Sequence, residues 1–333
     1  MRAMTAIEPS VAAVTVTAFV AYGLWRLARS PLRRAIPLRA IGAAATAILP
    51  DSQSCQHKGS STAYRRGRLP IAESIAQSRL TCMSIQAIQI IELDRVEISV
   101  EPWRWEFAIA QRDQITRYFA QKKKEQPRLW NGQVLLMHRY TIGNRVLRGS
   151  CFTTEFADFL AWRDWNYPDP TVRDFFGAAG LCAADDAYLL GEMGLHTAQA
   201  GMCYFPCGTP EPADLDSSGV LNLVSNLQRE LREETGLELQ QLEAEPGWTL
   251  VHDRGIFALI KRLTARESGD QLRSRILGYL ESESLPELND MHIINGPDDV
   301  HHRIPPFMVA YLQASWREAR QGKPGNGRSF SIC

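Results

Sequence analysis

The chain has 333 residues, enough for one large domain or two small ones. Lysine plus arginine equals aspartate plus glutamate at 37 each, which speaks against a general nucleic-acid binder but leaves room for a compact basic pocket. The seven cysteines, odd in number and openly spaced, do not suggest a disulfide framework.

The first 82 residues differ from the rest. Residues 11–25 carry no charge and are followed by Arg26, Arg29, Arg33 and Arg34. Counted from Ile7, the run barely approaches bilayer length and must include Glu8. A short membrane anchor, a signal-like segment and a start codon placed too far upstream all account for it. The last, or a dispensable extension, is the favoured reading. It makes the protein cytoplasmic, with residues 7–25 the one route to a membrane-tethered form. Residues 50–70, rich in Ser, Gln, Arg and Gly, read as disordered.

A folded domain is expected over 83–325, with an α/β subdomain over about 83–180 and a flexible tail over 326–333. Residues 85–93 and 96–100 read as strands, and 105–124 as a helix ending in Lys122, Lys123 and Lys124. Residues 133–140 and 146–153 read as a hairpin turning at Gly143-Asn144. A short helix over 155–165 follows, then a break at Pro168 and Pro170. Strands are expected over 187–192 and 201–205, the second running into a loop at Gly208. Residues 237–242 begin a strand, and 248–261 form a long one interrupted near Gly255. Helices are expected over 272–283 and 306–320, and a frayed end from 321.

The densest chemistry lies in Arg229-Glu-Leu-Arg-Glu-Glu-Thr-Gly-Leu237. Val220, Leu223, Val224, Leu227 and Leu231 recur at helical spacing, so the segment is the end of an amphipathic helix. Asp216, Ser217 or Ser218 could cap its start, and Gly236 ends it in a left-handed conformation. Glu230 and Glu234 then lie one turn apart with Glu233 beside them, and Arg229 pairs with Glu233 at i,i+4. Three crowded carboxylates repel one another unless a cation sits among them, and hard oxygen ligands suit Mg²⁺, with Mn²⁺ as the alternative; the plain alternative is an ordinary solvated helix face.

The stretch from Arg229 to Leu237 resembles the second half of the Nudix box, Arg-Glu-apolar-x-Glu-Glu-x-Gly-apolar. The resemblance implies an α+β fold, a Nudix-type α/β/α sandwich with a mixed sheet and one acidic catalytic helix. It implies metal-dependent hydrolysis of a nucleoside diphosphate linked to another group. Glu230, Glu233 and Glu234 become metal ligands and Arg229 their orienting partner. The first half departs from the pattern, with Leu221 where a Glu is expected and Leu215 where a Gly is expected. Gly208 could serve as the loop glycine if the loop carries an insertion, and Glu211 could then approach metal or substrate. The loop from Pro206 to Pro212 is similar to the Pro-Gly-Gly-His-Pro-Glu-Pro loop of an atypical branch. That branch includes the mammalian enzyme that hydrolyses UDP-glucose and UDP-galactose to UMP and sugar 1-phosphate. A UDP-sugar is therefore the leading substrate, ahead of ADP-ribose, NADH or CoA, with a catalytically inactive nucleotide-binding protein as the other alternative.

Several further residues are candidates. Arg139, Arg148 and Arg254 could clamp phosphate, and His196 could contact phosphate or sugar. Glu192 could join the metal site. The general base stays open among a helix glutamate, Glu211, Glu281 and Glu283. Trp162, Trp165 and Tyr167 are either a base-stacking group or, as favoured, core packing. Cys203-x-x-x-Cys207 could hold half a zinc site completed by His252 or His301-His302, although packing in the strand and loop is the favoured reading. The partner is a small nucleoside-diphosphate compound, as monomer or homodimer, without nucleic acid.

Overall fold

A computed structural model describes residues 88–127, 129, 131–194, 197 and 200–321, together with the backbone of Phe330–Ile332. The expectations for residues 1–82 and for His196 lie outside these residues. The described residues fall within one unit of the chain.

The chain changes sheets at its start. β1 (Ile88–Leu93) joins the large sheet, and β2 (Arg95–Val100), one residue later, joins a small one. The single helix expected over 105–124 is two: α1 (Glu106–Ala110) and α2 (Arg112–Glu125), broken at Gln111. Lys122, Lys123 and Lys124 occupy the last turn of α2, where the helix dipole favours cations. β3 (Gln133–Gly143) and β4 (Val146–Glu155) form the expected hairpin. Its left-handed turn residues are Asn144 and Arg145, at φ 49° and 58°, the two-residue geometry that matches strand twist. β4 also pairs parallel with β2, completing the small sheet in the order β2-β4-β3.

α3 (Phe156–Asp164) packs its rings against this sheet. Trp162 is fully buried and meets Trp105 edge-on at 6.0 Å and Tyr167 at 4.8 Å. Phe152, Phe156 and Phe159 complete the cluster, a second core beside the main one. Trp162 is therefore core, as favoured, and Trp165 packs edge-on against Phe107 and Tyr118.

The large sheet is mixed. β5 (Asp174–Cys182), β6 (Tyr188–Met193), β7 (Cys203–Tyr204) and β8 (Cys207–Gly208) precede α4 (Leu223–Thr235). β9 (Glu243–Ala244), β10 (Trp248–Asp253) and β11 (Ile256–Thr264) follow, then α5 (Gly269–Ser282), β12 (Leu288–Ile294), α6 (Pro306–Gln321) and β13 (Phe330–Ile332). The strand order is β12-β6-β5-β11-β10-β1-β13. β5 and β11 run parallel over nine residue pairs; β5 is buried along its whole length and β11 at six of its nine positions, as central strands covered on two faces should be.

The structure departs from the sequence reading at further points. Residues 237–242 do not form a strand, because a 3₁₀ turn, Leu239–Gln241, intervenes and only β9 pairs. The expected long strand is the hairpin β10–β11, turned at Arg254 with φ 50°. β12 had no sequence signal of its own; Asn289 and Asp290 interrupt its apolar alternation, and the strand bulges there. Phe330–Ile332 pairs with β1 where fraying was expected.

Helices cover both faces. Phe176 meets Phe307 of α6 at 5.9 Å, and a Cβ at Gly180 would lie 3.0 Å from the Tyr311 hydroxyl of the same helix. A Cβ at Gly177 would lie 3.2 Å from Leu223 of α4. Residues 176 and 180 share one face of β5 and residue 177 points to the other, so α6 and α4 sandwich the sheet. Among the described residues no helix is long and apolar enough to cross a membrane.

Candidate functional site

The loop before α4 sets the site. Asp216 accepts hydrogen bonds from the Ser218 amide at 2.8 Å, the Ser218 hydroxyl at 2.6 Å and the Val220 amide at 3.0 Å, closing a tight turn. The chain then doubles back. Leu215 bridges Leu221, and the Asn222 amide donates to the Asp214 carbonyl at 3.1 Å. The returning segment is stitched to β2 through Leu221 N–H to Ile98 O at 2.9 Å and Val100 N–H to Gly219 O at 2.8 Å. Asp216, Ser217 and Ser218 thus form the turn rather than the cap. The cap is Asn222, whose side-chain oxygen accepts from the Ser225 amide at 3.0 Å.

α4 buries Leu223, Leu227 and Leu231, as its spacing predicts. Val220 and Val224 are exposed, because Val220 precedes the helix and Val224 sits on its outer side. The second buried row is polar: Asn226, Glu230 and Glu234, each four residues from the last. Glu230 is 1% exposed and Glu234 4%, whereas the Glu233 side chain is 40% exposed. Gly236 ends the helix at φ 70°, with the Tyr279 ring of α5 packed against it.

Arg229 organises the charges. Its Nη1 donates to Glu230 at 2.7 Å, and its Nη2 donates to both carboxylate oxygens of Asp214 at 3.0 and 3.1 Å. The i,i+4 contact with Glu233 is longer, 3.7 Å, so Glu233 is not its principal partner. Asp214 also accepts from Asn226 Nδ2 and from the Glu211 amide, each at 2.9 Å. Three carboxylates therefore lie within 4 Å of one guanidinium. That local excess of negative charge, built from oxygen donors, suits a hard divalent cation. The sequence reading missed Asp214. No local pattern marks it, because the loop's return alongside β2 is what brings it to Arg229.

The remaining candidates are dispersed. Arg139 and Arg148 line one cavity of about 490 Å³ on the small sheet, with Tyr140, Gly149, Ser150 and Val220. Arg139 is held by Glu101 at 2.6 Å and Arg148 by Glu97 at 2.9 Å. Arg254 lies at the β10–β11 turn, 3.5 Å from Asp253. Gly208 is buried in β8 opposite Gly177. Glu211 enters through its backbone contact with Asp214. Glu283 caps α5, with Glu281 exposed nearby.

Glu192 does not join the α4 acids. It accepts from His292 at 2.6 Å and Arg303 at 2.7 Å, pairings that hold its carboxyl below the usual range against the opposing effect of burial. Cys203 and Cys207 are both buried thiols outside any disulfide, and burial pushes the Cys203 thiol up to about 12. His252 packs edge-on against Phe257 on β11.

Comparison with families and curated proteins gives no match. Among solved structures, the chain is similar to RenU, a Nudix hydrolase from M. smegmatis, at 16% identity over 47% of this chain and 91% of that one, with a TM-score of 0.30. It is similar to a MutT protein from Methanosarcina mazei Go1 at 13% identity over 46% and 96%, with a TM-score of 0.31. Both likenesses are distant and cover less than half of this chain.

Proposed function

We propose that the protein is a metal-dependent hydrolase that cleaves the diphosphate bond of a nucleoside diphosphate linked to another group. The observation that carries this is the α4 constellation: Glu230 and Glu234 buried one turn apart, Glu233 beside them, and Arg229 held by Asp214. Glu230, Glu233 and Glu234 would hold Mg²⁺ or Mn²⁺. Such an ion screens the diphosphate's charge and supplies an acidified water as nucleophile. The protein's part is positional. Arg229 fixes the rotamer of Glu230, and Asp214 fixes Arg229, so the carboxylates are oriented before substrate arrives. Glu233, the most exposed of the three, is the carboxylate best placed to exchange protons with solvent.

The finer reading is a UDP-sugar cleaved to UMP and sugar 1-phosphate, on the strength of the loop from Pro206 to Pro212. ADP-ribose, NADH and CoA compounds follow. Leu221 favours a second reading, a nucleotide-binding protein without turnover. The full-length protein should be incubated with Mg²⁺ or Mn²⁺ and UDP-glucose, UDP-galactose, ADP-ribose, NADH or CoA, with products read by mass. Monophosphate release lost in Glu233→Gln and Glu234→Gln supports hydrolysis. Tight binding with no product under either metal moves the assignment to the second reading.

A further inference from the structure

A second cluster of ligating side chains lies apart from α4, at the β12 edge of the large sheet. Its geometry follows from strand register. Cys203 of β7 stands directly opposite Glu192 of β6. His292 of β12 stands opposite Leu190, two residues from Glu192. Directly paired residues share a face, and residues two apart in a strand share it too. The three side chains therefore emerge on one side of β6, and their ligand atoms lie within 4.8 Å of one another.

A fourth group approaches from the turn after β12. The Cys203 amide donates to the Arg303 carbonyl at 2.9 Å, pinning residues 301–303 beside β7. This brings the His301 ring to 5.7 Å from the His292 ring. Both His301 ring nitrogens are buried, and neither has a hydrogen-bond partner among the described residues. An imidazole is a donor and an acceptor, so leaving both nitrogens unsatisfied is costly unless something binds there.

We propose that Glu192, Cys203 and His292, closed by His301, form a site for a divalent transition ion of the zinc class. One thiol, two imidazoles and one carboxylate are a borderline-soft donor set, unlike the all-oxygen set on α4. Tetrahedral bonds of about 2.0–2.3 Å place neighbouring donors roughly 3.4–3.7 Å apart. Glu192, Cys203 and His292, now within 4.8 Å of one another, reach that spacing by side-chain adjustment, the His301 ring, 5.7 Å from that of His292, turns inward to join them, and the 2.6 Å bond from His292 to Glu192 opens as the ion enters. Binding exchanges the Cys203 S–H bond for a metal–sulfur bond and releases the proton to solvent. Arg303, 2.7 Å from Glu192, stays as the outer partner that orients the carboxylate. The ion would clip β6, β7, β12 and the 301–303 turn together.

The test uses full-length protein carrying Glu233→Gln and Glu234→Gln, which removes two of the three α4 carboxylates, and follows a signal that an all-oxygen site does not give. After dialysis against chelator, Co²⁺ is titrated while thiolate-to-cobalt charge-transfer absorption is followed, and Zn²⁺ is then added in competition. One equivalent of Co²⁺ giving that absorption, lost in Cys203→Ser, is the expected result. His292→Ala, at a position whose side chain is 25% exposed, should weaken affinity by about 100-fold or more. Absence of the absorption overturns the proposal, as does its persistence at full strength in Cys203→Ser or undiminished affinity in His292→Ala. The Glu192–His292–Arg303 cluster is then an ion-pair stitch alone.

Discussion

Asp214 and Arg229 are joined by a forked contact, with one guanidinium nitrogen 3.0 and 3.1 Å from the two carboxylate oxygens. Fifteen residues separate them, and the doubled-back loop is what closes the gap. The same carboxylate holds Asn226, one residue row above Glu230 on the buried side of α4. Asp214 thus supplies from the loop a carboxylate partner for Arg229, where position 221 carries a leucine.

Asp214→Asn tests that substitution of roles. It keeps the shape and removes the charge, so Arg229 loses a charge-assisted bond and is free to swing toward Glu233. Stability should fall by about 1–3 kcal/mol in urea unfolding. Under the proposed activity, kcat should drop at least as much as kcat/KM, because ligand orientation acts on the reacting centre. A variant with unchanged kcat and unchanged midpoint would leave Asp214 without a positioning role.

Leu221→Glu, which would extend the resemblance to the Nudix box at that position, should harm rather than help. Leu221 is 7% exposed, packs in the main core, and is fixed there by its pairing with Ile98 and Leu215. A carboxylate there is buried without a cation, a loss on the order of 3 kcal/mol or more. Thermal unfolding of the variant decides it: a midpoint at or above that of the parent chain would show that the position can turn toward Arg229.

How much of this was legible beforehand depends on the range of the interaction. The acidic helix, its Gly236 stop and the β3–β4 hairpin were readable because local spacing alone fixes them. The α1–α2 break at Gln111 carries no Gly or Pro to mark it. β12 owes its pairing to β6, a hundred residues away, and its own pattern is interrupted by Asn289 and Asp290. Asp214, and the meeting of Glu192 with His292, are long-range products of register that no short window contains. Asp216 and the two serines look like a cap in sequence because turn and cap chemistry use the same side chains.

The Gly236 stop can be tested by contrast with a second glycine. An added Cβ at Gly236 would lie 2.5 Å from the Tyr279 ring, at φ 70°. Gly236→Ala should therefore cost about 2–3 kcal/mol, from left-handed strain and a displaced ring. Gly278, inside α5, has nothing within 4 Å of an added Cβ, and Gly278→Ala should gain about 0.5–1 kcal/mol. Chemical denaturation of both variants should give shifts of opposite sign; two losses of equal size would contradict the geometry.

Asp174, at the start of β5, predicts a pH dependence independent of any ligand. It is buried, its Oδ1 has no hydrogen-bond partner among the described residues, and burial pushes its carboxyl up to about 7 despite the opposing pull of Arg163. The folded value lies above the unfolded one, so the native state keeps a proton that the unfolded chain has released. Asp174 is therefore neutral and harmless below about pH 4, and its burial becomes steadily more costly as pH rises toward 7. Three units correspond to a loss on the order of 4 kcal/mol, reached near pH 7 and constant above it. Other carboxylates, Glu192 and Glu267 among them, are held low by their cationic partners and work in the opposite sense, so only a difference isolates the effect. Asp174→Asn should lie closest to the parent chain at the acid end, near pH 4, and become progressively more stable than it by pH 7.5. Urea midpoints across that range decide the matter, since a stability gap that does not widen with pH would mean that Asp174 does not titrate in this window.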